Sequence, residues 1–437
     1  MCWMKFRTFL LIAGFFGASL VIIQIRLTPS DEETSISGGE LVDFYDPVIL
    51  WWTPFGSDGA SRTCGKFKCI FTQDRVYWNH QNLKAILFYG SNLEIHDLPV
   101  PRGSGIKWGL LHEESPRNNL MFVHQETLRL FNYSSTFSRF SDVPLTLVDL
   151  PGEEDLLSKK YFIPTKEKNR LMNEENLSPL LYLQSNCDTL SERDLYISEL
   201  MKYIAVDAYG ACLNNRKLPG PLRDNYIGRL NSGELKKFVG KYKFTLAFEN
   251  AVCEDYITEK LWRPLTVGSV PIYYGSPSFK DWLPNNSSAV AVQDFKSPKD
   301  LAEFLHQLMK NDTLYEQYLS HKLIHEIRND RLLENLRKRP KGLFSVFEYY
   351  LRNFECQVCE KIHRNESRTV SKEEYNCEKP SEKFNYNRKI VKNSWIDVWN
   401  IEKCGGKLLT EYLLKNQSVK STEFNAKKME MHKENKC

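Results

Sequence analysis

The residues best placed to do chemistry lie in one stretch, Lys241 to Ser276, which reads KYKFTLAFENAVCEDYITEKLWRPLTVGSVPIYYGS. Its polar members Glu249, Asn250, Thr258, Glu259 and Lys260 stand among apolar and aromatic runs. Thr258 has the type of a helix N-cap, which puts Glu259 and Lys260 in a first turn, where unpaired N–H groups and the helix dipole favour an anion. Lys260 adds a full positive charge to that field. For the tripeptide TEK taken alone, a capped and solvated helix start is the plain alternative.

Positioning these groups takes a strand, a helix and a second strand. Tyr242 to Phe248 reads as a buried strand, Tyr256 to Val267 has helical spacing, and Val270 to Tyr274 reads as the next strand, closed by Gly275. In such a unit the carboxyl end of the strand and the amino end of the helix face one crevice, where doubly wound sheets bind nucleotides. Pro264 would clash with the Lys260 carbonyl in a regular helix, so the spacing predicts a bend or a late start. Upstream, Pro47 to Trp52 and Lys84 to Tyr89 read as strands, and Gly105 to Leu111 as a third that delivers His112, Glu113 and Glu114 to a loop.

The polar run from Pro151 to Pro179 reads as a linker. Beyond it come a strand at Leu180–Gln184, a helix at Ser191–Tyr203 with Arg193 in its first turn, and strands at Ile204–Tyr209 and Ala289–Val292. A helix at Ser297–Lys310, capped by Ser297, follows. Alternation of strand and helix on both sides of the linker predicts an α/β protein with two facing doubly wound domains. The expected boundaries are 46–165 for the first domain, 170–340 for the second and 341–437 for a cysteine-containing extension.

The 437 residues carry a net charge of +4 with both signs interspersed, which gives no nucleic-acid footprint, and 42% hydrophobic residues suffice for two cores. Residues 9–25, Phe9 to Ile25, are mostly apolar and follow Lys5 and Arg7, which predicts a type II signal anchor with residues 1–8 cytosolic, a stem at 26–45 and a luminal catalytic part. A cleaved signal peptide is the alternative. Ten of the eleven cysteines lie beyond the anchor and fit an oxidising lumen. Sequons at Asn132, Asn285, Asn286, Asn311, Asn365 and Asn416 fall on the luminal side, and Asn176 is weakened by Pro179. Cys64 and Cys69 are close enough to staple one loop, and with no histidine pair nearby a disulfide suits them better than a metal. Cys356 and Cys359, as CQVC, fit a redox site or half of a zinc site, but neither context is clear. The pairing of Cys187, Cys212, Cys253, Cys377, Cys404 and Cys437 stays open.

The block FEN, DYITEKLWRP and VPIYYGS, with HEESP at His112 to Pro116, SERD at Ser191 to Asp194 and VDAYG at Val206 to Gly210, resembles glycosyltransferase family 10, the α-1,3-fucosyltransferases. LLYLQSNCD, RPLTVGSVPIYYGSPS and CGKFKC are most similar to its divergent subgroup, α-(1,3)-fucosyltransferases 10 and 11, also called protein O-fucosyltransferases 3 and 4. The resemblance implies a GT-B architecture, GDP-fucose as donor, inversion at the sugar, and a structural role for the carboxyl-terminal CxxC. It also implies Glu114 as the base that matches the glutamate of the family's FESP motif, with His112 and Glu113 as competitors. Arg193 is expected on the donor phosphates with Lys260, Glu259 on the ribose or beneath the sugar, Asn250 on donor hydroxyls, and Glu249 and Tyr256 beside them. No Asp-x-Asp motif is present, and Arg193 and Lys260 can neutralise a pyrophosphate without a metal, so no cofactor is expected. The acceptor is a serine or threonine of a folded, EMI-type protein module, or a glycan GlcNAc, in the endoplasmic reticulum or Golgi. A binding module without turnover is the remaining alternative.

Overall fold

The computed structural model describes residues 45–223, 230–339, 345–384, 386 and 392–437. The anchor and stem predicted at 9–45 lie outside these residues except for Tyr45, and no described helix is long and apolar enough to cross a membrane. Two parallel-rich sheets organise the chain. The first, in spatial order β2-β3-β1-β4-β5-β6, joins β1 (Val48–Trp51), β2 (Ala60–Cys64), β3 (Phe67–Thr72), β4 (Leu83–Tyr89), β5 (Lys107–His112) and β6 (Tyr133–Thr136). Only the β2–β3 hairpin is antiparallel.

The second sheet, all parallel, runs β11-β10-β9-β7-β8 and contains β7 (Leu180–Gln184), β8 (Val206–Gly210), β9 (Phe244–Phe248), β10 (Val270–Tyr274) and β11 (Val290–Ala291). Its central strands FTLAF and VPIYY are buried at every position, as sheets covered on both faces require. The chain leaves β7 for β8 on one side and returns to β9 on the other, so the carboxyl ends of β7 and β9 flank a topological switch point. Helices α1 (Arg193–Leu200), α2 (Glu259–Val267) and α3 (Pro298–Lys310) cover this sheet. Ser297 caps α3 by accepting the Asp300 N–H, as its spacing predicts. Helix α2 begins at Glu259, three residues after the expected start, with Thr258 as N-cap; Pro264 therefore sits inside it, and Gly268 at φ 71° ends it.

The carboxyl-terminal stretch, the least legible in sequence, packs helices against the first lobe. Helix α4 (Val346–His363) packs on β2, β3, β4 and β6, and α5 (Ser394–Leu414) packs against the segment 120–128. The expected staple between Cys64 and Cys69 does not form. These residues lie on one face of the β2–β3 hairpin, where Cys64 opposes Phe67 and Cys69 opposes Arg62, and both point at α4. Cys64 pairs with Cys356 and Cys69 with Cys359, because an i, i+3 spacing puts both helix thiols on one side. The same helix buries Glu355, which accepts from Trp51 Nε1 at 2.8 Å and from the Ser57 N–H at 2.8 Å and pairs with Arg62. CQVC is thus a structural clamp, and neither a redox nor a zinc site forms there. Three further disulfides join Cys187 to Cys212, Cys253 to Cys377 and Cys404 to Cys437, a density that fits the secretory pathway.

Candidate active site

At the carboxyl end of β9 the chain turns into Glu249 and Asn250. Glu249 has no solvent exposure, and its oxygens accept the Thr258 N–H at 2.9 Å and the Thr258 hydroxyl at 2.8 Å. The Lys260 ammonium lies 3.0 Å from Thr258 Oγ1, 3.5 Å from Glu249 and 3.3 Å from Glu259. Glu249 thus stands behind the helix start and fixes the cap and the lysine. Burial would lower Lys260, but Glu259 and Glu249 outweigh it and hold its pKa above the ordinary value. Burial would raise Glu259, but Lys260 and Arg263 outweigh it and keep it ionised.

Arg193, expected on the donor phosphates, is tied to the backbone of the crevice loops. It is fully buried, with Nη1 donating to the Phe248 carbonyl at 2.7 Å and Nη2 to the Asn186 carbonyl at 2.8 Å. The guanidinium ties the loops after β7 and β9 together and contributes to the field at Lys260. The Ser191 N–H donates to the Asn250 carbonyl at 3.1 Å in the same tie, while the Asn250 side chain stays partly exposed in the crevice. Tyr256 is buried in the core of the first lobe, edge-on to Phe137 and beside Ser115, so it anchors the donor-side loop across the lobe boundary.

The opposite wall comes from the end of β5. His112 belongs to the strand, has no exposure, stacks on Tyr375, and is pushed down to about 3 by burial, so it is a neutral core residue outside the crevice. Glu113 accepts from the Tyr89 hydroxyl at 2.8 Å and is pushed up to about 7, first by burial and then by Glu114. Glu114 is partly exposed and faces the second lobe: burial raises it, Lys260 draws it partly back down, and Glu259 adds to the rise. Of the three acceptor-side candidates, only Glu114 is brought into the field of Lys260.

Two residues of this site, Tyr375 and Asp149, lie outside the motifs of the sequence. Tyr375 donates its hydroxyl to the Glu114 carbonyl at 2.8 Å and lies 3.0 Å from His112 Nδ1. It comes from a carboxyl-terminal segment stapled to the donor-side loop by Cys253–Cys377, with the Glu254 N–H donating to the Asn376 carbonyl at 2.8 Å. Asp149, an acid in the apolar run LTLVDL, accepts the Glu259 N–H at 3.1 Å. Its side chain is exposed, and its pKa is pushed up to about 7 by desolvation against the crevice walls and by Glu259. An isolated acid in an otherwise apolar run was the available clue.

A salt bridge closes the lobes below the site. Arg139 donates to Asp255 from Nε at 2.8 Å and from Nη2 at 2.5 Å, and to Asp281 from Nη1 at 2.7 Å. Of the sequons, Asn286, Asn311, Asn365 and Asn416 are exposed. Asn132 is half-buried and its amide donates to the Arg368 carbonyl at 3.1 Å.

The family model for glycosyltransferase family 10 (fucosyltransferase) C-term matches residues 174–376. GDP-fucose protein O-fucosyltransferase 3 of Xenopus laevis is 46% identical over 353 residues, 80% of this chain and 74% of that protein. The protein of the same name from Homo sapiens is 47% identical over 321 residues, covering 73% of this chain and 66% of its own. Among solved structures, a crystal structure of alpha1,3-fucosyltransferase with GDP matches at a TM-score of 0.40 with 15% identity, over 75% of this chain and 94% of that one.

Proposed function

This chain belongs to the glycosyltransferase family 10 fucosyltransferases, and from that premise we propose that it transfers L-fucose from GDP-fucose, with inversion, to serine or threonine of folded protein modules of the EMI type in the secretory pathway. The names of its relatives support the donor and the protein acceptor. The observation that carries the chemistry is the opposition of Glu114 on one lobe to Glu259 and Lys260 on the other. Two facing sheets with the switch point of the second opening on this crevice support a GT-B arrangement.

In this reading the bond from the fucose anomeric carbon to the pyrophosphate oxygen breaks, and its electron pair leaves with GDP. The acceptor hydroxyl oxygen bonds to that carbon and its proton passes to Glu114, whose raised pKa makes it a better base than a solvated carboxylate. Lys260 neutralises the departing pyrophosphate, and Glu259, held ionised, lies beside the positive sugar or the ribose. Arg193 and Glu249 act from behind, the first fixing the crevice loops and the second fixing Thr258 and Lys260. The full chain is predicted to be anchored by residues 9–25 with the site luminal. The test is incubation with labelled GDP-fucose and either a folded EMI module or a GlcNAc-bearing glycan. Label on the module supports the proposal; label on the glycan alone moves the acceptor to the glycan; no transfer to either, with GDP-fucose still bound, leaves a binding module.

A further inference from the structure

Every N–H from Thr258 to Leu261 at the amino end of α2 has a partner within the protein. The Thr258 N–H goes to Glu249, the Lys260 N–H to Thr258 Oγ1 at 3.3 Å, and the Leu261 N–H to the Thr258 carbonyl at 3.1 Å. One N–H of this turn, that of Glu259, reaches outside the second lobe, and the Asp149 carboxylate takes it at 3.1 Å. Asp149 is exposed to the crevice and carried by a segment whose backbone is pinned, with Arg339 Nη1 donating to the Leu147 carbonyl at 3.3 Å and to the Leu150 carbonyl at 2.7 Å. Its side chain can therefore leave the seat without moving the segment.

We propose that Asp149 is an internal anion that occupies the pyrophosphate seat at α2 in the donor-free protein, and that donor binding displaces it. The proposal rests on the reading of this crevice as the donor site. A carboxylate and a pyrophosphate cannot both take the Glu259 N–H without mutual repulsion, so the binding free energy of the donor includes the expulsion of Asp149. After transfer, return of Asp149 to the seat opposes retention of GDP and favours its release. The groups that face Asp149 are Glu114 from the end of β5, Glu249 from the end of β9, and Glu259 and Lys260 from α2. Lys260 is thus faced by four carboxylates before any phosphate arrives, with Arg263 and Arg193 as the further cations of the cluster, and Asp149 is the one of the four whose oxygen accepts the Glu259 N–H.

The experiment is calorimetric titration of GDP into the full chain and its Asp149→Ala and Asp149→Asn variants, at pH 7.5 and 5.5, with unfolding temperatures measured in parallel. Asp149→Ala should bind GDP roughly tenfold more tightly at pH 7.5, which is about 1.4 kcal/mol and the size of one like-charge repulsion at partial exposure. Asp149→Asn, which keeps an acceptor for the Glu259 N–H but no charge, should gain less. Because burial and the neighbouring acids raise Asp149, the wild type should close part of that gap at pH 5.5 as its own carboxyl takes up a proton. Loss of the Asp149 charge also eases Glu114, Glu249 and Glu259, so the comparison that isolates Asp149 is the one made at pH 7.5 between wild type, Asp149→Asn and Asp149→Ala. GDP affinity in Asp149→Ala equal to or weaker than wild type, at an unchanged unfolding temperature, overturns the proposal; if that variant unfolds, the same criterion applies to Asp149→Asn. A wild type that does not bind GDP at all removes the donor-site reading and this proposal together, whereas a wild type that binds and variants that do not tighten remove this proposal alone.

Discussion

Arg139→Met should cost the protein about 3 kcal/mol. The Asp255 side chain has no exposure, and in the intact protein it accepts from Arg139 Nε, Arg139 Nη2, the Arg139 N–H, Ser278 Oγ at 2.7 Å and Trp282 Nε1 at 2.9 Å. Methionine deletes the two guanidinium bonds and the cation but leaves the three other donors. Breaking a buried pair from one side typically costs about 3–5 kcal/mol, and the low end applies because Arg139 is 22% exposed and Asp255 keeps neutral partners. Asp255→Asn should cost less, since Arg139 still reaches Asp281 and solvent. A double-mutant cycle read by urea unfolding should give a coupling of about 2 kcal/mol.

The pH dependence carries a definite sign. Burial would raise Asp255, but its bonds from Arg139 and Trp282 outweigh that and hold its pKa below the usual carboxylate value. Its contribution is therefore complete above the unfolded value of about 3.9 and is lost as pH falls through the lower folded value. The wild-type advantage over Arg139→Met should be largest near neutral pH and shrink as pH falls through the Asp255 pKa of the variant, which burial without the guanidinium holds above that of the wild type. A coupling under about 0.5 kcal/mol, or an advantage that grows as pH falls, would refute the role of this bridge as a buried clamp between the lobes.

Glu114→Gln should lower kcat roughly 10²–10⁴-fold with GDP-fucose binding little changed, and the rise of wild-type kcat/KM with pH through the raised Glu114 pKa should vanish; near-normal turnover combined with a dead Glu113→Gln would move the base by one residue. Lys260→Met should weaken GDP binding at least tenfold, since charge-assisted phosphate contacts contribute about 1.5–3 kcal/mol, with calorimetry as the check and wild-type affinity as the contrary result. Glycopeptide mapping should find glycan on Asn286, Asn311, Asn365 or Asn416 but not on Asn132, whose amide is held by Arg368; full occupancy of Asn132 would contradict that packing.

The sequence by itself determined whatever depends on neighbours a few residues apart. Buried strands such as FTLAF and VPIYY, the Thr258 cap, the Ser297 cap and the crevice at the end of β9 follow from side-chain periodicity and helix-end chemistry, which are local. The block from FEN to YYGS was legible because its residues act within one β-α-β unit. Tertiary structure decided the rest. Adjacent His112, Glu113 and Glu114 are indistinguishable until the packing of Tyr375 and Tyr89 buries the first, engages the second and leaves the third facing Lys260. Arg193 is expected on the donor phosphates through the family resemblance alone, and its inward rotamer, set by the carbonyls of Phe248 and Asn186, is visible only in the tertiary structure. The thiols of Cys64 and Cys69 lie close in the chain, yet their partners arrive from a helix 292 and 290 residues away, because the hairpin face that carries them is the face α4 must cover. Asp149 enters the site for the same reason: the chain crosses between the lobes there, and only that crossing sets its carboxylate on the tip of α2.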